Sequence, residues 1–306
     1  MKKIDKILIC IPTFNRNKSL LACINSIKKL KEINSFNVQI LVLDNSPSNT
    51  SYNLINKYKK KGKIKITQRH ELKRGIVFAR NKCLQISRDI NPKYIAFIDD
   101  DCKVDKNWLI NIFNLFNKIS IDIITGPQKY EKNKNKIQND YSLLFEKKHK
   151  KKFLRVKWAA SNNVFFRYDV LKDNKKIIFD KNLNKFGMGE DQLFFSLISK
   201  REYKIYWSSK IFVTEKMHQH RININWVKER SKRLGILGHY IDIQLHGMFL
   251  GITINYLKSL YLFFQTIFFY FNFFALNRNL NLANKYYRFY GKIIGPFKFK
   301  KIKFLK

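Results

Sequence analysis

Two acidic clusters carry the clearest chemical signal in this chain of 306 residues. The first, Asp99-Asp100-Asp101, follows the apolar run Tyr94 to Ile98, and the second, Glu190-Asp191, precedes the apolar run Leu193 to Ile198. Three adjacent carboxylates repel one another, and a hard divalent cation such as Mg²⁺ or Mn²⁺ offsets that repulsion. A carboxylate that reaches a hydroxyl group can act as a general base. The first cluster therefore indicates a metal site, and the second presents two carboxylates at the start of a predicted helix.

Each cluster also has a purely structural interpretation. The aspartates could form a solvated loop, and Glu190-Asp191 could complement the partial positive charge at a helix N-terminus. Because side chains alternate along a strand, Asp99 and Asp101 are expected on one side, with Asp100 pointing away. The choice between these interpretations depends on the elements that present the clusters.

Short apolar runs alternate with longer polar or periodic segments from Ile4 to Pro127, which is typical of a parallel sheet with crossover helices. The predicted strands are Ile7 to Ile11, Val38 to Leu43, Ile64 to Gln68, Tyr94 to Ile98 and Ile121 to Thr125. The predicted helices are Ser19 to Leu30, Ser51 to Tyr58, Ile76 to Ile86 and Trp108 to Phe116. The sequence therefore predicts an open α/β sheet.

Polar residues follow three of these strands. They form the runs Pro12-Thr13-Phe14-Asn15-Arg16, Asp44-Asn45-Ser46 and Asp99-Asp100-Asp101. Ligands of open α/β sheets bind beyond the carboxyl ends of the strands, so the three runs are expected to converge on one binding rim. The pair Arg80-Asn81 lies within a predicted helix, where solvent exposure is the default interpretation.

Composition and motifs exclude several classes of protein. Hydrophobic residues make up 45% of the chain, which argues against disorder. The four cysteines show no paired spacing, which argues against a disulfide framework or a zinc site. Gly187 and Gly189 lack the third glycine of a dinucleotide fingerprint, and neither a P-loop nor an EF-hand loop is present. The net charge of +39 indicates a polyanionic partner, either nucleic acid or an acidic membrane surface.

The character of the chain changes after about Arg221. The stretch from Ser259 to Leu276 carries no charge, and its length is at the lower limit for a membrane-spanning helix. Polar residues recur every seventh position, at Lys258, Gln265, Asn272 and Asn279, and predict a narrow polar stripe on one helix. Both flanks are basic, which opposes a span and favours a helix at the membrane surface. A soluble helical lid is the alternative.

Six motifs in order are more specific than any one of them. They are Ile7 to Arg16, Val42 to Ser46, Gly75 with Ala79-Arg80-Asn81, Phe97 to Asp101, Ala160 to Asn163 and Gly189-Glu190-Asp191. This set resembles glycosyltransferase family 2 over about Lys3 to Arg233. The resemblance implies an α/β GT-A fold, an open mixed sheet with a Rossmann-like nucleotide-binding half at about 1–127 and an acceptor-binding half at about 128–220. A basic and aromatic helical region, 221–306, would follow the GT-A domain.

The resemblance also implies roles for individual residues. Those placed at the nucleotide are Pro12, Thr13, Phe14, Asn15, Arg16, Asp44, Arg80, Asp99 and Asp100. Asp44 would bind the base and Asp99 the ribose. Asp101 would bind a divalent metal, Mn²⁺ or Mg²⁺, with His218 as a possible additional ligand. Asn162 and Asn163 would contact the donor or acceptor sugar, Asp191 would be the general base, and Glu190 would order the acceptor site.

The activity implied by the resemblance is transfer of a sugar, with inversion, from a UDP-sugar or another nucleotide sugar. The acceptor would be a lipid-linked or cell-surface glycan in a bacterium. The enzyme would lie at the cytoplasmic face of the cell membrane, through peripheral contact by 221–306, and would bind no nucleic acid. One alternative is a sugar-phosphate nucleotidyltransferase, which normally has a glycine-rich basic loop where Pro12 to Arg16 stands. The other is a basic nucleic-acid-binding protein, for which only the net charge argues.

Overall fold

The structure is a computed structural model that describes residues 5–59, 64–131, 135–146, 149–267 and 279–299. The chain forms two compact units. The first comprises Met1–Glu131 and Glu146–Lys216, and the second comprises Lys132–Phe145 and Met217–Lys306. The functional division of the predicted GT-A domain, 1–220, into a nucleotide-binding and an acceptor-binding half stays a prediction.

The first unit contains two sheets. The strands, in chain order, are β1 (Lys6–Thr13), β2 (Asn37–Asp44), β3 (Lys65–His70), β4 (Tyr94–Ile98), β5 (Cys102–Val104), β6 (Ile123–Thr125), β7 (Gln128–Tyr130), β8 (Phe153–Val156), β9 (Asn163–Arg167), β10 (Ile205–Ser208) and β11 (Val213–Glu215). The large sheet has the order β3-β2-β1-β4-β9-β6-β10-β8, and the small sheet has the order β5-β11-β7. Strands β3, β2, β1 and β4 are parallel, whereas β9 is antiparallel to both of its neighbours, so the large sheet is mixed.

The central strands are apolar without interruption because both faces of the large sheet are covered. Ile7, Ile9 and Ile11 of β1 pack into the hydrophobic cluster on one face. Leu8 and Cys10 of the same strand pack into the cluster on the other. All four cysteines are buried and free.

The helices, in chain order, are α1 (Asn17–Lys28), α2 (Tyr52–Lys59), α3 (Ile76–Ile90), α4 (Trp108–Phe116), α5 (Lys136–Phe145), α6 (Tyr168–Lys172), α7 (Glu190–Ser199), α8 (Ile224–His246), α9 (Met248–Ile267) and α10 (Leu280–Lys298). The strands and helices predicted between Ile4 and Pro127 are confirmed, with small shifts at their ends. Helix α3 shows the largest shift and extends past its predicted end because Ile90 also packs against the core.

The second unit is helical. Helices α8 and α10 approach each other at Gly235 and Gly291, where an added Cβ on either residue would lie within 2.2 Å of a carbonyl oxygen of the other helix. Within the described ranges, no helix is both long enough and apolar enough to cross a lipid bilayer.

The predicted polar stripe does not continue along one helix. Lys258 and Gln265 lie on α9, and Asn272 lies outside the described residues. Asn279 has extended backbone angles, and its side chain accepts hydrogen bonds from the first N–H groups of α10. The prediction of one continuous stripe from polar residues at every seventh position was therefore wrong, because Asn279 caps a separate helix.

Candidate active site

A cavity of about 400 Å³ opens beyond the carboxyl ends of β1, β2 and β4. Its lining residues are Pro12, Thr13, Phe14, Arg16, Asn45, Arg74, Gly75, Ile76, Ala79, Arg80, Asp99, Asp100, Gly187 and Glu190. Parallel pairing aligns Thr13 with Asp44, so the segments after β1 and β2 begin side by side. The rim inferred from the ends of the strands therefore exists, and eight of the predicted site residues line it.

The aspartates form a turn directly after β4 rather than a continuation of the strand. Arg16 joins two of them, with Nη1 at 3.2 Å from Asp100 Oδ1 and at 2.8 Å from Asp101 Oδ2. The expected pairing of Asp99 with Asp101 on one side was therefore wrong, because strand alternation ends at Ile98. The Thr13 hydroxyl also donates a hydrogen bond of 2.7 Å to Asp100. Burial raises the pKa of Asp100 to about 6, although Thr13 and Arg16 oppose that rise.

Arg80 lies at the centre of a second charged group. Its side chain is buried, its Nη2 lies 3.0 Å from Asp99 Oδ1, and its Nη1 donates to Glu190 Oε1. The default interpretation of Arg80 as a solvent-exposed helix residue was therefore wrong. The neighbouring Asn81 exchanges two hydrogen bonds with the backbone of Phe179, at 2.8 and 2.9 Å. Helix α3 thus supplies the guanidinium and also anchors the segment that leads to Glu190.

Asp101 and Asp191 both influence the ionisation of Asp99. Burial raises the pKa of Asp99, Arg80 lowers it, and the negative charges of Asp101 and Asp191 raise it further. Both carboxylates therefore lie close enough to Asp99 to raise its pKa. Asp101 and Asp191, far apart in the sequence, are neighbours of one acidic centre. A single cleft in which Asp101 and Asp191 serve one reaction stays a prediction.

Glu190 is almost fully buried, and its Oε2 accepts no hydrogen bond in the described part of the chain. Burial raises its pKa to about 7, although the Arg80 guanidinium opposes part of that rise. A carboxyl group with a raised pKa binds its proton more tightly in the folded than in the unfolded chain. Folding stability is therefore expected to fall as pH rises from the ordinary value of about 4.5 to about 7.

Replacement of Glu190 by Gln should remove this contribution. Between about pH 4.5 and about pH 7, we expect the free energy of unfolding of the wild type to fall by about 1 to 3 kcal/mol more than that of Glu190→Gln. Urea denaturation of both proteins at a series of pH values measures the difference. Parallel pH profiles for the two proteins would show that Glu190 titrates normally.

Asp191 stands at the start of α7 and faces the segment before β9. Its Oδ2 accepts a hydrogen bond of 3.2 Å from the backbone N–H of Ser161, and its Oδ1 accepts one of 2.7 Å from the backbone N–H of Gln192. These bonds fix the orientation of the carboxylate, and the preceding residue, Glu190, lines the cavity. Asp191 itself does not line the cavity.

Several predicted residues lie outside the cavity lining, and their proposed contacts stay predictions. Asp44 is fully buried, and its carboxylate accepts hydrogen bonds from Ser46 and from the backbone N–H of Ser51. Asn163 is also fully buried and bonds to Trp108 and to the backbone of residue 211. In this structure both side chains hold the loops of the site in place.

Asn15 and Asn162 lie on the loops around the site. Asn15 has a positive φ of 53° in the loop after β1, and its Oδ1 accepts a hydrogen bond of 3.4 Å from Thr50. Asn162 donates to Gln128, which in turn donates to Glu215. This chain of amides connects the segment before β9 to the small sheet.

The small sheet brings a further acid to Asp101. Antiparallel pairing places Glu215 opposite Cys102, and the possible ligand atoms of Asp101, Cys102 and Glu215 all lie within 4.8 Å of one another. Burial raises the pKa of the Cys102 thiol well above its ordinary value, so this sulfur is a poor ligand. The two carboxylates suit a hard cation such as Mn²⁺ or Mg²⁺. His218 belongs to the second unit, where its ring stacks on that of His220.

Sequence reasoning assigned no individual role to three contributors to the site. Arg74 places its guanidinium 5.3 Å from the ring centroid of Phe14, at the cavity wall. Asn45 accepts a hydrogen bond of 2.7 Å from the backbone N–H of Gly75, which has a φ of 131°. Asn45 follows β2 directly, and the sequence placed its run on the binding rim without giving Asn45 a role. Glu215 gave no such signal because its strand is so short.

The sequence itself matches a known family. The sequence model described as Glycosyl transferase family 2 matches residues 8–174, which is more than half of the chain. The chain belongs to glycosyl transferase family 2. The prediction of a glycosyltransferase is thereby confirmed at the level of the family.

Proteins with similar sequences include two from Staphylococcus aureus. Poly(ribitol-phosphate) beta-N-acetylglucosaminyltransferase TarP is 27% identical over 208 residues, which cover 65% of this chain and 60% of TarP. Poly(ribitol-phosphate) beta-N-acetylglucosaminyltransferase TarS is 24% identical over 191 residues, which cover 62% of this chain and 31% of TarS. The match thus spans less than two thirds of the length of either relative.

Solved structures show the same fold. The mannosyltransferase PcManGT from Pyrobaculum calidifontis, in complex with GDP-Man and Mn²⁺, has a TM-score of 0.60 at 12% identity, over 97% of this chain and 88% of that one. TarS 1-349 from S. aureus, in complex with UDP-GlcNAc, has a TM-score of 0.58 at 14% identity, over 96% and 92% of the two chains. At these identities the likeness establishes the fold, and the predicted α/β mixed sheet of GT-A type is confirmed.

Proposed function

We propose that this protein transfers a sugar from a nucleotide-diphosphate sugar to a hydroxyl group of a glycan, with inversion at the anomeric carbon. The supporting observation is that Asp101 binds Arg16 at the wall of a cavity, while Asp191 directly follows Glu190, which lines the same cavity. One acid is available for a metal and the other for a proton. The family match gives the class of reaction, and the local geometry suggests how the residues divide the work.

The donor nucleotide is proposed to occupy the cavity of the first unit. Phe14 and Arg74 offer an aromatic ring and a guanidinium at its wall, and Asp99 and Asp100 offer hydrogen-bond acceptors. The side chains of Arg74 and Arg16 bring positive charge toward a diphosphate. Asp44 would reach the base, as the resemblance implies, only if a hydrogen bond from its own loop is exchanged. Known neighbours bind UDP-GlcNAc and GDP-Man, so a nucleotide sugar is the supported class of donor.

Asp101 and Glu215 would hold the divalent cation. Both present carboxylate oxygens in a region where Arg16 already balances part of the negative charge. A bound Mn²⁺ or Mg²⁺ supplies Lewis-acid stabilisation of the diphosphate leaving group. His218 is retained as a proposed additional ligand only through the family resemblance.

Asp191 is proposed as the general base. The hydrogen bonds from Ser161 and Gln192 fix the orientation of its carboxylate, and its neighbour Glu190 lines the cavity. In this proposal the carboxylate accepts the proton of an acceptor hydroxyl. Glu190 and Arg80 form the wall behind it and position Asp99. One base without a protein nucleophile corresponds to a single displacement, which inverts the anomeric configuration.

The acceptor is proposed to be a cell-surface or lipid-linked glycan, and more narrowly a polymer that carries phosphate groups. TarP and TarS are named for transfer to poly(ribitol-phosphate). A net charge of +39 would attract such a polyanion over a distance of several ångströms. The proposed location is the cytoplasmic face of a bacterial membrane, with peripheral contact through 221–306.

Replacement of Asp101 by Ala should remove the metal-dependent part of donor binding. Isothermal titration of UDP into the wild type should show tighter binding with Mn²⁺ than with a chelator, and the variant should show the same weak binding in both. Asp89→Ala, at an exposed position of α3, serves as the matched control and should behave like the wild type. A variant that keeps the full Mn²⁺ enhancement would remove Asp101 from the metal site.

A further inference from the structure

Helix α9 buries its polar side and exposes its apolar side, which is the opposite of a helix in a water-soluble domain. The residues it buries are small or polar, namely Gly251, Asn255, Ser259 and Thr266. The residues it exposes are large and apolar, namely Met248, Phe249, Leu250, Ile252, Tyr256, Leu257, Leu260, Tyr261, Phe264 and Ile267. We call this exposed set the α9 apolar face. A helix of a soluble protein buries its apolar stripe and exposes its polar one.

The interior of the second unit explains why the polar side of α9 faces inward. Gly251 lies against the backbone of α8, where an added Cβ would meet the Cα of Ile243 at 2.5 Å. The Lys292 ammonium donates a hydrogen bond of 2.9 Å to Asn255 and lies 3.8 Å from Asp242. Lys258 also donates to Asp242, at 2.6 Å. Small residues and buried polar groups at helix contacts are typical of helices that face lipid.

The apolar residues of α9 are exposed to an unusual degree. Phe249 is 88% exposed, Tyr256 is 67% exposed and Phe264 is 61% exposed. These three positions follow the helical spacing of one side of α9. A contiguous apolar surface of this kind marks an interaction site in a soluble protein. The tyrosines add hydroxyl groups that favour the boundary between water and hydrocarbon.

The charge of the surrounding sequence identifies the chemistry of the partner. From Gly247 to Lys306 the sequence has ten lysines and arginines and no aspartate or glutamate. A second copy of this chain would bring the same positive charge to the contact, and the two copies would repel. An anionic surface would instead attract the segment, and the apolar face would gain burial.

We propose that the α9 apolar face inserts into the interfacial layer of an anionic phospholipid bilayer, with the helix lying along the surface. This inference specifies the peripheral membrane contact proposed above for 221–306, and it does not depend on the chemistry of sugar transfer. The opposite side of α9 is held against α8 by Gly251 and against α10 by Asn255, so one side of the helix is available to lipid. One lipid-facing side corresponds to a helix that lies in the interface.

Vesicle co-sedimentation of the full chain tests the proposal. The vesicles contain either equal parts of phosphatidylcholine and phosphatidylglycerol or phosphatidylcholine alone. The wild type should bind the anionic vesicles at least about tenfold more tightly, and Phe249→Glu combined with Phe264→Glu should lose at least about tenfold of that binding. Ile137→Glu, at a 61% exposed position of α5, is the matched control and should bind like the wild type.

Three further measurements separate loss of membrane binding from misfolding, from loss of enzyme activity and from dissociation of an oligomer. The single variant Phe249→Glu changes the most exposed residue of the face and should keep the wild-type circular dichroism spectrum and show a partial loss of vesicle binding. Donor hydrolysis without vesicles should be equal in wild type and variants, so a failure of the glycosyltransferase assignment would appear there and not in sedimentation. Variants that bind vesicles like the wild type would overturn the proposal, as would sedimentation velocity showing that they dissociate an oligomer while vesicle binding is unchanged.

Discussion

Replacement of Asp191 by Asn should lower the rate of sugar transfer by about 10² to 10⁴ and leave donor binding unchanged. The amide has nearly the shape of the carboxylate and can keep a hydrogen bond from Ser161, but it cannot take the proton of the acceptor hydroxyl. Transfer from a radiolabelled nucleotide sugar, measured at saturating donor and acceptor, gives the rate. Titration of the donor nucleotide gives the binding constant.

Asp169→Asn is the matched control for this prediction. Asp169 also lies in the first turn of a helix, α6, and it is exposed and does not line the cavity. Both aspartates therefore interact with a helix N-terminus, and only Asp191 adjoins the site. Equal activities for the two variants and the wild type would refute the role of Asp191 as a base.

Replacement of Arg80 by Met should destabilise the first unit by about 3 kcal/mol near pH 8 and should weaken donor binding. The change leaves the buried Glu190 carboxylate and Asp99 without the guanidinium that lies between them. Protonation of Glu190 relieves part of this cost, so the loss should be smaller near pH 6. Urea denaturation at both pH values measures the effect.

A double-mutant cycle separates the ion pair from simple loss of packing. The double variant Arg80→Met, Glu190→Gln has no charged glutamate opposite the methionine. The destabilisation caused by Arg80→Met should therefore depend less on pH when Glu190→Gln is also present. Arg88→Met provides a matched control on the same helix, because Arg88 donates to the backbone carbonyl of Lys175 rather than to a buried carboxylate. A destabilisation by Arg80→Met that is the same at both pH values and unaffected by Glu190→Gln would contradict the ion-pair account.

The strands and helices between Ile4 and Pro127 were predictable because their apolar runs match the geometry of a sheet buried on both faces. An unbroken apolar run such as Ile7 to Ile11, bounded by polar residues, leaves few other solutions. The small sheet could not be predicted in this way. Strands β5, β7 and β11 are too short for alternation to be visible, and their pairing depends on contacts between distant segments.

The site was predictable where residues directly follow a long strand, and less so elsewhere. Thr13, Arg16 and Asp100 line the cavity as the ends of the strands indicated. Asn163 shows the limit of motif reasoning, because an amide within a polar motif can serve the core, and here it bonds to Trp108. Glu215 reaches Asp101 only through the register of the small sheet, which no local pattern reveals.

The orientation of α9 shows a different limit. Composition alone predicted a helix at a membrane surface, but it did not predict which side of the helix is exposed. That choice depends on where Gly251 and Asn255 find close backbone contact and a polar partner. Tertiary packing therefore decides which of two possible faces the helix presents to its surroundings.

A diffraction experiment on crystals grown with UDP and Mn²⁺ tests the central claim most directly, because it locates both groups. The account predicts density for the nucleotide in the cavity beside Phe14 and Arg74, and an anomalous manganese peak within bonding distance of a carboxylate oxygen of Asp101. Nucleotide bound outside this cavity, or manganese bound away from Asp101, would contradict it.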